Sequence, residues 1–194
     1  MDMTAMCDMA FLLLTFFILT AQMKPKEPVE INLPGAKHAD TTAVKNTIRI
    51  SIEKGGAVYL SLGDKAIREH VITSVNEYNG MGLSEENIKA FVGVNMFGFP
   101  FNAARASLEN LNDEEYVQKG IPTDTTGGEL KVWLVAALQE YELDASLLQK
   151  GLKKPIVSIH ADKDIPYKDV KKVLEVVQGD GIKINSFKLI TNLE

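Results

Sequence analysis

One acid stands inside an apolar run. Asp8 is the only charged residue between Met3 and Met23, in the stretch MTAMCDMAFLLLTFFILTAQM. A carboxyl in a membrane-spanning helix costs roughly 2.5 to 3.5 kcal/mol on insertion scales and marks ion pathways or proton relays. Removal from water disfavours the charged form of a carboxyl, so an acid placed there can load and release protons. On a helical wheel at about 100° per residue, Thr4, Asp8, Thr15 and Gln22 fall within about 40° of one another, and Phe, Leu and Ile residues fill the remainder. Lipid cannot satisfy such a polar stripe, so it predicts a protein partner or a wet cavity on that face. Thr20 lies off the stripe, where a hydroxyl bonded back to its own helix accounts for it. The plainer reading of Asp8 is an acid about one and a half turns inside Met3 that snorkels into the headgroups.

The element that must position Asp8 is a helix of about 21 residues, which at about 1.5 Å per residue reaches roughly 30 Å, the thickness of a bilayer's hydrocarbon core. Residues 1–23 are therefore read as a transmembrane helix. A cleaved signal peptide has a similar outline, but there is no basic n-region, and acids stand where positive charge belongs. Lys24 and Lys26 follow the run and no basic residue precedes it, a weak bias towards a cytoplasmic C-terminal domain. The abrupt start suggests a longer natural N-terminus.

Of 26 acidic residues only Asp2 and Asp8 precede Lys24, leaving 24 against 21 basic residues in the rest of the 194-residue chain. That near balance gives no basic face and no expectation of nucleic acid. The length and 45% hydrophobic content suit one compact domain with an appendage. The single cysteine, Cys7, excludes an internal disulfide.

Residues 24–45 carry Pro25, Pro28, Pro34 and Gly35 and read as an extended linker. Within it VEINLP alternates at Val29, Ile31 and Leu33, which suits either a short strand seeking a second chain or an inert tether. From residue 46 to 194 the pattern is α+β. Thr47 to Ile52 and Val58 to Leu62 alternate around Lys54, Gly55 and Gly56, a hairpin. Ala66 to Tyr78 is helical through Ile67, Val71, Val75 and Tyr78. Ser84 is the expected cap of a helix burying Ile88, Phe91 and Val92. The stretch NMFGFPFNA, Asn95 to Ala103, is either a docking patch or a satellite core under a loop. Asn112 to Gly128 reads as a long loop and Glu129 to Glu142 as a helix. Ile156 to His160 is a strand, and Asp164 is the expected cap of a helix that begins at Pro166 and buries Tyr167, Val170, Val173, Leu174 and Val177. That helix ends at Gly179 and Gly181, and Lys183 to Thr191 closes a βαβ-like unit. The expected fold is a small mixed sheet with helices on one face.

No enzyme constellation emerges. His38, His70 and His160 are scattered, and neither metal-ligand spacing nor a phosphate loop is present, so neither metal nor cofactor is expected. His160 near Asp162 and Asp164 hints at an acid–base pair, but turn and cap roles already explain both acids.

Two motifs in order resemble the ExbD/TolR family. DMTAMCDMAFLLLTFFILTA is similar to that family's single span, with an acid early in a P-x-x-D-V-x-x-L-L-I-x-F-x-x-T kind of pattern. VSIHADKDIPYKDVKKVLEVVQGDGI is similar to its closing strand, A-D-x-x-x-x-Y and helix. Ala5 replaces the usual proline, Met9 the valine after the acid, and Asp2 stands where asparagine is common. About sixty residues, at about 64–128, form an insertion that short family members lack. The resemblance implies a proton-motive-force-driven stator subunit of the inner membrane. Asp8 would carry protons, Leu33 and Pro34 would belong to a linker motif, and Asp162 and Tyr167 would belong to the closing motif. It also implies an N-terminus inside and a periplasmic C-terminal domain. The expected partners are a second copy of the chain, a pentamer of an ExbB/TolQ-like polytopic protein and a TonB/TolA-like protein. Two other functions compete: a membrane-anchored periplasmic scaffold with no proton conduction, and a flagellar-type stator, for which no peptidoglycan-binding domain is visible.

Overall fold

The computed structural model describes residues 3–20, 46–111, 113, 116–123, 128–143, 155–161, 165–179, 182 and 187–191. The first element is helix α1, Met3–Thr20, of 18 residues. At about 1.5 Å per residue it is about 27 Å long, a little under a bilayer's hydrocarbon thickness. Among the described residues no helix is long and apolar enough to cross a membrane. The last three residues of the expected span, Ala21, Gln22 and Met23, lie outside the described residues, as does the whole linker 24–45 with its VEINLP segment.

Strands β1, Thr47–Ile52, and β2, Val58–Leu62, form the expected antiparallel hairpin. Its turn takes positive φ at Gly55 and Gly56, which glycine adopts without steric cost. Helix α2, Lys65–Asn79, starts from Asp64, whose carboxylate accepts the Ala66 N–H at 2.8 Å, and stops at left-handed Gly80. Helix α3, Glu85–Gly93, starts at the expected Ser84 cap. Phe101–Ala103 makes a single 3₁₀ turn that leads into α4, Ala104–Glu109, and α5 spans Glu129–Leu143. Strand β3, Ile156–Ala161, helix α6, Tyr167–Gln178, and strand β4, Phe187–Thr191, complete the order.

The sheet runs β2-β1-β3-β4, with β1, β3 and β4 parallel, so the expected mixed α+β sheet is present. Ile48, Ile50 and Ile52 share one face with Val157, Ile159 and Ala161 and join the core that α2, α5 and α6 cover. Helix α6 buries Val170, Val173, Val176 and Val177. The outer edge of β2 is occupied: Leu60 and Phe97 exchange backbone hydrogen bonds, and the Ile121 N–H donates to Val58 O at 2.7 Å.

Three expectations need correction. Tyr78 and Tyr167, counted as buried positions, are 82% and 73% exposed. Each sits in an end turn of its helix, where a ring can leave the core and keep its hydroxyl wet. The aromatic stretch from residue 96 is neither a docking patch nor a satellite: Met96, Phe97 and Phe99 are buried, and both phenylalanines belong to the same core as the strands. Finally, α6 begins at Tyr167 with Pro166 as its N-cap rather than its first residue; Asp164, the expected cap, lies outside the described residues.

Candidate functional site

Helix α1 carries its apolar side chains uncovered: Phe11, Leu14, Phe17 and Ile18 are each more than half exposed, whereas Ile48, Ile50 and Ile52 of β1 are fully buried. A long helix apolar around nearly its whole circumference needs a nonaqueous environment or partner helices. Asp8 projects from this surface as its single charge and is itself exposed. Thr15 is half-buried, and its hydroxyl donates to Leu12 O at 2.9 Å. Thr20 does the same to Phe16 O at 2.7 Å. Both threonines thus satisfy their one proton on their own helix, the behaviour of hydroxyls in apolar surroundings.

Of the expected stripe, Asp8 and Thr15 lie seven residues apart on one continuous helix and so share a face, and the backbone of Thr4 belongs to the same helix. Gln22 lies outside the described residues, as do Leu33, Pro34 and Asp162. Tyr167 opens α6 at the surface. Such a face can hold a carboxyl against an apolar or aqueous wall supplied from outside the chain. The chemistry open to a carboxyl and hydroxyls on such a face is hydrogen bonding and proton exchange.

The α+β domain has a second polar constellation that the sequence did not reveal. On the sheet face opposite the isoleucines, Arg49 stands level with Ser158, and Ser51 with His160. Ser51, Ser158 and His160 are buried, and among the described residues Arg49 Nε, Ser51 Oγ and His160 Nδ1 have no hydrogen-bond partner. Burial first, and the neighbouring Arg49 charge second, pull the His160 imidazole down to about 4, so it is neutral at ordinary pH. Its sequence neighbours Asp162 and Asp164 lie outside the described residues. Among the described residues, no three of His, Cys, Asp and Glu are grouped to hold a metal ion.

A buried cation was also missed. Arg68 lies on the inner face of α2, 3% exposed, and donates to Val94 O, with Asn95 Oδ1 at 3.5 Å. Burial lowers its proton affinity, while Asp64 and Tyr141 act in the opposite sense. Its signal was positional, since on the helical wheel it falls between Val75 and Ile72 on the apolar stripe. A groove of about 410 Å³ between α2 and α5, lined mainly by Val75, Tyr78, Val132, Val135 and Ala136, carries no acid–base pair.

The family model described as "Biopolymer transport protein ExbD/TolR" matches residues 1–191, spanning helix α1, the linker and the α+β domain together. No curated protein and no solved structure matches the chain.

Proposed function

Because the chain belongs to the ExbD/TolR family of biopolymer transport proteins, we propose that it is the proton-carrying stator subunit of an inner-membrane motor. The observation that carries this reading is Asp8, the single charge on an 18-residue apolar helix whose side chains are uncovered. With the apolar run continuing to Met23, α1 anchors the chain as a single-pass span, N-terminus in the cytoplasm and residues 46–194 in the periplasm. The proposed surroundings of α1 are a second copy of itself and a pentamer of an ExbB/TolQ-type polytopic protein.

Within that sheath Asp8 is the group that takes up the proton and passes it on. Moving one charge through 100 mV supplies about 2.3 kcal/mol, enough to bias helix rotation. The α+β domain then acts as a non-enzymatic docking or scaffolding module that passes the motion to a TonB/TolA-type protein reaching the outer membrane. The alternative, a membrane-anchored periplasmic scaffold whose Asp8 only specifies helix association, predicts instead that Asp8→Asn disturbs assembly without touching proton flux.

Co-purification in detergent followed by mass measurement tests the assembly. A pentamer of a polytopic partner holding two copies of this chain supports the stator. A mass equal to this chain alone, or to a simple homodimer, contradicts it.

A further inference from the structure

We propose that Thr15 is a positioning residue for the proton path of Asp8, holding a water on the same face of α1. The inference rests on the proton-carrier reading above and adds a second station to it. A threonine hydroxyl has one proton and two lone pairs. The proton of Thr15 is committed to Leu12 O at 2.9 Å, so the oxygen offers lone pairs alone towards the stripe. A water that donates one O–H to it keeps its other O–H and its own lone pairs for the next water.

Thr15 lies seven residues beyond Asp8, about 20° away on the wheel and about 10 Å along the axis. Three to four hydrogen bonds of about 2.8 Å span that distance. Protons balance along such a file. A hydronium at the Thr15 end passes a proton to its neighbour, each water in turn regains neutrality, and the Asp8 carboxylate becomes a carboxylic acid. Only O–H bonds form and break, and nothing is oxidised or reduced. With the N-terminus inside, Thr15 stands on the periplasmic side of Asp8, from which the protons come.

The helix contains its own control. Thr20 also bonds back to its own helix, to Phe16 O four residues earlier at 2.7 Å where Thr15 reaches three residues back, but it points about 120° away from Asp8. If back-bonding were the whole purpose of these threonines, the two positions would be interchangeable.

The test uses the full chain assembled with its polytopic partner in proteoliposomes, with proton flux read by an entrapped pH dye and complex mass checked for every variant. Thr15→Val, which keeps the shape and removes the lone pairs, lowers flux about tenfold, the order expected for one lost hydrogen bond. Thr15→Ser restores it, Thr20→Val leaves it unchanged, and Asp8→Asn abolishes it. Should Thr15→Val fail to assemble, Thr15→Ala and Thr15→Ser form the deciding pair, the first slow and the second native. Native flux in Thr15→Val, no rescue by serine, or an equal loss in Thr20→Val overturns the role of Thr15 while leaving Asp8 intact. Native flux in Asp8→Asn overturns the proton-carrier reading, and this inference with it.

Discussion

The ring of Tyr59 fills the space in which a side chain at Gly98 would stand: a Cβ there would lie 2.4 Å from the ring's Cδ1. Gln118 ties the two together, accepting the Gly98 N–H on its side-chain oxygen at 2.6 Å and the Tyr59 hydroxyl on its backbone oxygen at 2.9 Å. Residues 97–98 and 118–121 are thereby locked onto the outer strand of the sheet, where Phe97 and Ile121 already occupy the backbone edge.

Gly98→Ala therefore forces either the Tyr59 ring or the strand to move. Overpacking of this kind costs about 1 to 3 kcal/mol. Urea unfolding of the full chain in detergent, followed by tryptophan fluorescence, is expected to show a lower midpoint. An unchanged midpoint would mean that the two segments are not tightly apposed.

The reporter for that experiment is the chain's single tryptophan. Trp133 is fully buried, stacked on Phe91 at 5.8 Å and edge-on to Phe97 at 4.8 Å. Phe91→Ala removes the stacked ring and is expected to cost about 3 to 5 kcal/mol. Its emission should shift to the red in the folded state. Blue, native-like emission with native stability would contradict a shared core between α3 and α5.

His160 makes the domain sensitive to acid. Its folded-state pKa, lowered to about 4 by burial and then by Arg49, lies below the ordinary value of 6.5. Between those values the unfolded chain binds a proton that the folded chain refuses, so stability is full above about 6.5, falls as pH drops, and levels off below about 4. One proton sets a limiting slope of about 1.4 kcal/mol per pH unit. His160→Gln, which cannot titrate, is expected to flatten the urea midpoint across this window. The same slope in both proteins would show that His160 is not held neutral.

Much of this architecture is legible in the sequence where one period dominates. Ile48, Ile50 and Ile52 alternate because one sheet face is core, and Val170, Val173 and Val177 recur because one helix face is. The errors fall where a residue has two natures. Tyr78 and Tyr167 count as apolar in a periodic pattern, yet at helix ends their hydroxyls stay in water. Arg68 reads as a surface charge, and its burial depends on the carbonyl of Val94, contributed from the end of another helix. The polar face that pairs Ser51 with His160 needs the parallel register of two strands more than one hundred residues apart, which no local pattern encodes. At the site itself the reverse holds. Helical spacing alone set Thr4, Asp8 and Thr15 on one face, whereas the back-bond that turns the Thr15 oxygen into an acceptor required coordinates.

Asp8 remains the centre of the account, and Asp8→Asn probes it most directly, being isosteric and unable to titrate. The measurement is proton flux through the complete assembly in energised proteoliposomes, with the complex mass determined alongside. A complex of native mass with flux reduced to the leak of empty vesicles is the predicted result. A complex of native mass that conducts at the native rate would contradict the assignment of Asp8 as the proton carrier.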